Sequence, residues 1–460
     1  MTPPFYAPHS NVASIAWPAI PDADARRRLA VLRQVQENQW HPPEEIRRRQ
    51  FLQLAQLLRH AAKTVPFYRR RLGELDLQDG KTLELEDWQR IPLLTREDIQ
   101  SAGRDLISNA IPAEHGKTGK ASTSGSTGMP VTVVSSQVNR FLWEVMTLHE
   151  HLLHARDLEG RMAVIRRIPD GTAAYPDGYS QQHWSSTIAA VYPNGRIYAL
   201  EIESSIAQQA EWLSRVDPHY LRGYPTNLYA LARYCRRNAI DLPSLKQCLT
   251  FGELLLPHVR EACREAWDIE IADSYSSQEV GYISLQAPGQ EHHLVQSDLV
   301  LVEVIDCDGS PCKEGEMGRV VVTSLHNHAM PILRYDIGDY AEVGGPCPSG
   351  RGLPVLTRIL GRERNMLVDR DGNEYWPAFG VKSISKIAPI KQFQLAQTSV
   401  GTVEARLVPE RPLSDAEQDR LRSHLESRLP GTVGVEIKLQ ESIGRTAGGK
   451  YEDFVNETLR

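Results

Sequence analysis

Residues 122–130 read Ser122-Thr123-Ser124-Gly125-Ser126-Thr127-Gly128-Met129-Pro130. Hydroxyl side chains and glycines in such density make a poor helix or strand interior, because both compete with regular backbone pairing. The same composition can wrap a string of phosphate oxygens with hydroxyls and backbone N–H groups. No Lys closes the run, so it is not the Walker phosphate loop. A flexible polar loop would satisfy the composition equally well, and the surrounding sequence has to decide between the two.

Working outward toward the C-terminus, strand-like and helix-like stretches alternate from about 130 to 345. Val131–Val134, Ala163–Ile165, Gln247–Phe251, Leu299–Ile305 and Arg319–Thr323 read as strands, and 137–154, 205–215, 226–239 and 257–267 as helices. This alternation predicts an α/β domain with crossover helices. Asp306-Cys307-Asp308-Gly309 reads as a hairpin turn. Toward the N-terminus, residues 23–73 are helical in character, with Phe51, Leu54, Ala55 and Leu58 on one face at i, i+3, i+4 and i+7. Pro66 interrupts that pattern, and Thr95 is placed to cap a helix carrying Glu97 and Asp98 in its first turn. Beyond Gly361 an α+β unit of about 100 residues follows, with strands near 366–368, 403–408 and 433–437 and a helix over 414–429. The fold class read from the pattern is therefore α/β. A large N-terminal unit (1–360, helical over about 1–110) is followed by a small C-terminal one (361–460).

Two or more domains suit 460 residues, since single cores stop growing near ~250–300 residues. A net charge of −6 offers no general attraction to nucleic acid or anionic lipid. No apolar stretch approaches the ~20 residues that span a bilayer, and Met1-Thr2-Pro3-Pro4-Phe5-Tyr6 lacks the form of a secretory signal. Six cysteines in so long a chain do not form a disulfide framework. The expectation is a cytoplasmic protein that binds neither nucleic acid nor membrane.

Five further segments follow the hydroxyl-rich run in fixed order: Phe251-Gly252-Glu253, Asp273-Ser274-Tyr275-Ser276-Ser277-Gln278-Glu279, Arg334-Tyr335-Asp336-Ile337-Gly338-Asp339, Gly361-Arg362-Glu363-Arg364, and Gly444-Arg445-Thr446-Ala447-Gly448-Gly449-Lys450. Together the six resemble the adenylate-forming superfamily of acyl-CoA synthetases, carrier-loading adenylation domains and luciferases. Val65–Arg69, Ile91–Thr95 and Arg222-Gly223-Tyr224-Pro225-Thr226 are similar to its phenylacetate–CoA ligase branch. The resemblance runs from about 50 to 455, nearly the whole chain.

The resemblance implies a large adenylating domain and a small mobile C-terminal domain that joins a carboxylate to the α-phosphate of ATP. Ser122, Thr123, Ser124, Gly125, Ser126, Thr127 and Gly128 would hold the β- and γ-phosphates. Glu279 would hold Mg²⁺, which withdraws charge from phosphate oxygens. Tyr275 would lie against adenine, and the Gly252-Glu253 backbone, Asp273 and Ser276 would line the same pocket. Gln278 stands where Thr is usual, facing the α-phosphate. Asp339 would accept both ribose hydroxyls with its two oxygens, and Arg362 would reach ribose or phosphate. Arg364 falls at the hinge position, where Asp is common. Lys450, in its Gly-rich loop, would bridge carboxylate and α-phosphate.

Members of the branch carry a Cys/His group that holds zinc. Here the Cys-x-Cys-Gly element reads Cys347-Pro348-Ser349-Gly350, and no Cys precedes His292-His293, so two of four ligands are missing and no structural zinc is expected. Cys307 and Cys312 flank the predicted hairpin. The acyl pocket is expected between 137–190 and 222–253, with Trp143, His183, Trp184, Tyr224 and Pro225 as candidates. The leading reading is transfer of an aryl or similar small acyl group from acyl-AMP to the CoA thiol. Transfer to a carrier-protein thiol or an amine, transfer of AMP to a cofactor hydroxyl, and a nucleotide-binding module without catalysis remain as alternatives. Arg69, Arg70, Arg71 and Lys382 are candidate CoA phosphate contacts, though solvated surface charge explains them more simply. A homodimer through the large domain is expected by resemblance.

Overall fold

The alternation read from the sequence becomes a sheet of twelve strands in a computed structural model. The structure describes residues 6–73, 75, 83–122, 131–168, 170–362, 367–370, 374–375, 384, 387–429, 433–444 and 454–459. Thr123–Gly128, Arg364, Lys382 and Lys450 lie outside the described residues, as does the side chain of Arg362.

Among the described residues five α-helices come first: α1 (Ala23–Asn38), α2 (Pro43–Thr64), α3 (Pro66–Arg71), α4 (Leu85–Gln89) and α5 (Arg96–Ala102). The predicted stripe on α2 is its core face: Leu54, Ala55 and Leu58 are buried, and Phe51 packs at the margin. Pro66 ends α2 and supplies the first residue of α3, where a missing N–H costs nothing. Thr95 and Asp98 form a reciprocal capping box at the start of α5.

The hydroxyl-rich run joins strands β1 (Thr118–Ser122) and β2 (Thr132–Ser136), whose ends Ser122 and Thr132 are Cα partners. Helix α6 (Gln137–Leu153) leads to β3 (Met162–Arg166), β4 (Tyr179–Gln181), α7 (Ser186–Ala189) and β5 (Ile197–Glu201). Three crossovers then repeat the α/β pattern. They run α8 (Ile206–Val216), β6 (Tyr220–Gly223), α9 (Pro225–Arg237), β7 (Gln247–Phe251), α10 (Pro257–Trp267) and β8 (Glu270–Ser277). Strands β5, β3, β6, β7 and β8 are parallel neighbours in that order.

An antiparallel half continues the same sheet through β9 (Gly281–Gln286), β10 (His293–Val295), β11 (Val300–Ile305), β12 (Met317–Ser324), β13 (Tyr335–Val343) and β14 (Val355–Arg362). From β8 outward the spatial order is β9, β10, β14, β13, β12, β11. The Asp306 turn forms, with the Gly309 N–H donating to the Asp306 carbonyl. The connection between β11 and β12 nevertheless extends to residue 316, longer than a tight hairpin.

A separate four-stranded sheet holds β17 (Ile390–Ser399), β18 (Thr402–Pro409), β19 (Gly434–Leu439) and β20 (Phe454–Asn456), after a short pair β15 (Leu367–Val368) and β16 (Glu374–Tyr375). Helix α11 (Asp415–Glu426) covers it, burying Leu421 and Leu425 against Leu395 and Leu407. No described helix is long and apolar enough to cross a membrane.

Candidate functional site

Parallel strands all present their carboxyl ends at one edge, and ligands of open α/β sheets bind there. The segments singled out in the sequence collect at that edge. Strand β6 ends at Gly223 before Tyr224-Pro225, β7 ends at Phe251 before Gly252-Glu253, and β8 carries Asp273 through Ser277. Gly252 adopts φ 76°, a left-handed conformation that favours glycine.

Strand β13 brings Asp339 in from the antiparallel half. The Tyr275 hydroxyl donates to Asp339 Oδ2 at 2.6 Å, joining two residues 64 positions apart. One carboxylate oxygen is thereby oriented by a phenol on the neighbouring wall. The register of β13 against β14 sets Asp339 opposite Arg362, so two predicted sugar contacts sit on adjacent strands.

Glu279 follows the end of β8 and is buried. Its Oε1 lies 3.8 Å from Nη1 of Arg96, the first residue of α5. The N-terminal helices thus supply a cation to the candidate metal carboxylate, held in place by the Thr95 cap. Chain spacing gave no signal for Arg96, which lies 183 residues from its partner in the numbering (279 − 96). Ser276 is partly buried and Gln278 exposed at the same strand end.

Other predicted residues also carry hydrogen bonds or packing within the fold. Asp273 faces inward: Thr250 Oγ1 donates to it at 2.5 Å, and His293 Nε2 lies 3.5 Å away. Burial pushes its pKa up to about 6. The Glu253 carboxylate accepts from the Thr226 hydroxyl at 2.7 Å and from the Thr226 N–H at 3.1 Å, capping α9. Pro225 is the buried first residue of that helix. Arg71 donates to the Leu93 carbonyl and pairs with Asp98 at 3.1 Å.

The acyl candidates divide. Trp143 is half-exposed on α6 and packs on Tyr282 with ring centroids 4.8 Å apart. A Cβ at Gly281 would meet this indole at 3.4 Å, on a backbone of φ 92°. Tyr224 packs on Phe251 at 5.0 Å. Trp184 does not join this wall. It is buried in the core between α6 and the sheet, donating its indole N–H to the Gly160 carbonyl at 2.8 Å. His183 beside it is exposed. The pair read as pocket residues because they sit in a polar, Gly-containing stretch; burial of the larger ring decides otherwise.

The candidate zinc donors also separate. Cys347 Sγ lies 3.7 Å from His292 Nε2, whereas His293 turns toward Asp273 and Ser284. Cys307 is exposed, and Cys312 lies near the Met317 carbonyl. Among the described residues no group of three or more His, Cys, Asp or Glu is placed to hold a metal ion. A structural zinc needs four ligands, so elemental analysis of the purified protein should find no stoichiometric zinc; a 1:1 content would contradict this.

Comparison with known proteins gives a consistent picture. No family model matches the chain. A phenylacetate–coenzyme A ligase of Thermus thermophilus is 24% identical over 452 residues, covering 89% of this chain and 96% of the relative. A 2-hydroxyisobutyryl-CoA ligase structure in the postadenylation state superposes with a TM-score of 0.71 at 19% identity, covering 98% of this chain and 97% of the other. Over nearly its whole length the chain is similar to phenylacetate–coenzyme A ligases, and it has the fold of adenylate-forming ligases. An anthranilate CoA ligase in complex with anthranoyl-AMP shares the fold more loosely, with a TM-score of 0.54 at 17% identity over 72% of this chain and 64% of that one. Within an adenylate-forming fold, the edge built by β6, β7 and β8 and bridged by Tyr275 to Asp339 is the candidate nucleotide site.

Proposed function

We propose that the protein is an ATP-dependent acid–CoA ligase. A small, aryl-sized carboxylic acid attacks the α-phosphorus of ATP through a carboxylate oxygen. The bond to pyrophosphate breaks, and acyl-AMP forms. The CoA thiol then attacks the acyl carbonyl, AMP leaves, and the thiol proton passes to solvent. The observation that carries this reading is the Tyr275–Asp339 hydrogen bond of 2.6 Å at the carboxyl edge of the parallel strands. It places a half-buried aromatic ring beside a carboxylate, as a nucleoside requires. The names of the curated relatives support CoA as the acceptor.

Joining a carboxylate to a polyphosphate brings like charges together, so the protein's work is charge neutralisation and alignment. The run Ser122–Gly128 contributes hydroxyl and backbone donors, and Lys450 a cation between the reacting groups. Glu279 fits Mg²⁺ in donor chemistry: a buried carboxylate, hard oxygen, in the ligand number that Mg²⁺ takes alongside substrate phosphates. The ion would withdraw charge from the phosphates. Arg96 compensates the carboxylate at 3.8 Å and is within reach of the same anions. The large unit 1–360 holds these groups and the small unit 361–460 swings about Arg364 between the two half-reactions; Arg362 sits next to that hinge, and two large units form the homodimer.

Pyrophosphate release tests the reading, measured over a panel of carboxylic acids without acceptor, then with CoA, then with amines. Acid-dependent release accelerated by CoA is expected. Release accelerated only by amines, or occurring without any acid, would overturn it. In the same assay Glu279→Gln should raise the Mg²⁺ concentration for half-maximal turnover by at least roughly 10-fold. An unchanged Mg²⁺ response would remove Glu279 from this role.

A further inference from the structure

Beside the candidate acyl wall, three charged side chains are packed together, two of them away from bulk water. Glu150 of α6 is 4% exposed and Arg156, just beyond that helix, 1%. Arg222 of β6 is 23% exposed. Arg156 takes the closer share of the carboxylate: Nη1 donates to Glu150 Oε1 at 3.1 Å and Nε to Gln247 Oε1 at 2.8 Å, while its buried Nη2 has no hydrogen-bond partner among the described residues. Arg222 has a weaker share of the same carboxylate. Its Nη2 stands 3.9 Å from Glu150 Oε2, which already accepts from the Tyr282 hydroxyl at 3.0 Å, and Arg222 donates to that hydroxyl in turn.

The charge count does not close. His149, His151 and His154 surround the cluster, and burial pushes their pKa values down to about 4, 3 and 3, so all three are neutral at pH 7. Two guanidinium groups then face one carboxylate. Against burial, Glu150 and Tyr282 still favour the charged form of Arg222, and with the carboxylate shared with Arg156 the cluster keeps a net positive charge for an anion to meet. Arg222 is the member that reaches open space. It points with Tyr220 to one face of β6, and its guanidinium lies 5.2 Å from the Phe251 ring. Phe251 packs on Tyr224, and Tyr282 packs on Trp143. The spare positive charge is thus set into the aromatic wall proposed for the acyl group.

We infer that the acid activated by this protein carries a second anionic group, a carboxylate, which pairs with Arg222 while the reacting carboxylate faces the nucleotide. Bidentate pairing with a planar guanidinium suits a carboxylate, and the surrounding rings suit an aryl or short carbon spacer. This inference rests on the adenylating reading above and narrows its substrate class.

ATP–pyrophosphate exchange with matched acids tests it: phenylacetate against the three phenylenediacetates, benzoate against the phthalates, and monomethyl glutarate against glutarate. At least one diacid should exceed its monoacid partner in kcat/KM by about 100-fold, the scale on which a buried charge left unpaired rejects the wrong ligand. Arg222→Met should lower kcat/KM for that diacid by about 100-fold, mainly through KM, and leave the monoacid unchanged or improved. Arg222→Lys should recover part of the loss. Exchange that favours monoacids throughout in the wild-type protein overturns the inference and leaves the ligase reading standing. That comparison needs no variant to fold. Exchange with no acid of either kind overturns both.

Discussion

Lys450→Ala should lower the rate of acyl-adenylate formation by about 10²–10³-fold, with KM for ATP nearly unchanged. Two anions meet in this half-reaction, and negative charge accumulates on the pentavalent phosphorus as pyrophosphate departs. A single preorganised donor at such a centre is worth on this order. Its contribution to ground-state binding should be small, because the β- and γ-phosphates are proposed to be held by hydroxyl and backbone donors of Ser122–Gly128. The loss should therefore fall on kcat, the signature of an interaction made in the transition state. Lys450→Arg should not restore the rate, since a planar fork cannot replace a compact ammonium between two oxygens. Supplying the preformed acyl-adenylate bypasses the step, so thioester formation from it should proceed near the wild-type rate. Adenylation by Lys450→Ala at the wild-type rate would remove this residue from the proposal.

Arg334→Met should cost about 3–5 kcal/mol of folding stability, the scale for breaking a buried ion pair by removing one partner. Arg334 opens the Arg334–Asp339 segment, yet its work is structural. Its side chain is 6% exposed and forms a two-pronged pair with Glu303, at 3.1 and 3.2 Å. It also donates to the carbonyls of Gln89 and Ile91, both at 2.7 Å, which fastens the N-terminal helices to the sheet. Its own carbonyl accepts from the Leu94 N–H. Removing the guanidinium leaves Glu303 buried without its partner.

Burial already raises the Glu303 pKa, and Arg334 opposes that rise. Without Arg334 the folded-state pKa climbs further above the unfolded value. The variant's deficit should then be smallest at low pH, where Glu303 is protonated in both states, and grow as pH rises through the raised folded value. Urea unfolding at several pH values measures this, and adding Glu303→Leu should recover much of the loss. A variant of wild-type stability but no activity would instead make Arg334 a substrate contact.

These two residues show what sequence reading draws on and where it stops. Lys450 was singled out from a local Gly-rich context and lies outside the described residues. Arg334 stood in an equally clear motif, but its partners Gln89, Ile91 and Glu303 are distant in the chain, and only folding distinguishes it from Asp339 five residues on. Trp184 failed for a related reason. Its polar neighbourhood suggested a pocket, whereas the hydrophobic cost of exposing an indole drew it into the core beside Tyr220 and His151.

Periodicity and punctuation determined the elements by themselves. The α2 stripe, the Thr95 cap, the break at Pro66 and the strand–helix alternation after residue 130 all rest on interactions within a few residues, which spacing records directly. The order of the six segments was likewise enough to suggest a nucleotide-activating fold. Tertiary structure alone decided which charges meet. The Tyr275–Asp339 bond, the approach of Arg96 to Glu279 and the two guanidinium groups around Glu150 each join residues brought together by strand order and register. Such pairings follow from how a twelve-stranded sheet assembles. They leave no periodic trace in the chain, because electrostatic partners are chosen by distance in space and the sequence orders them only by distance along the backbone.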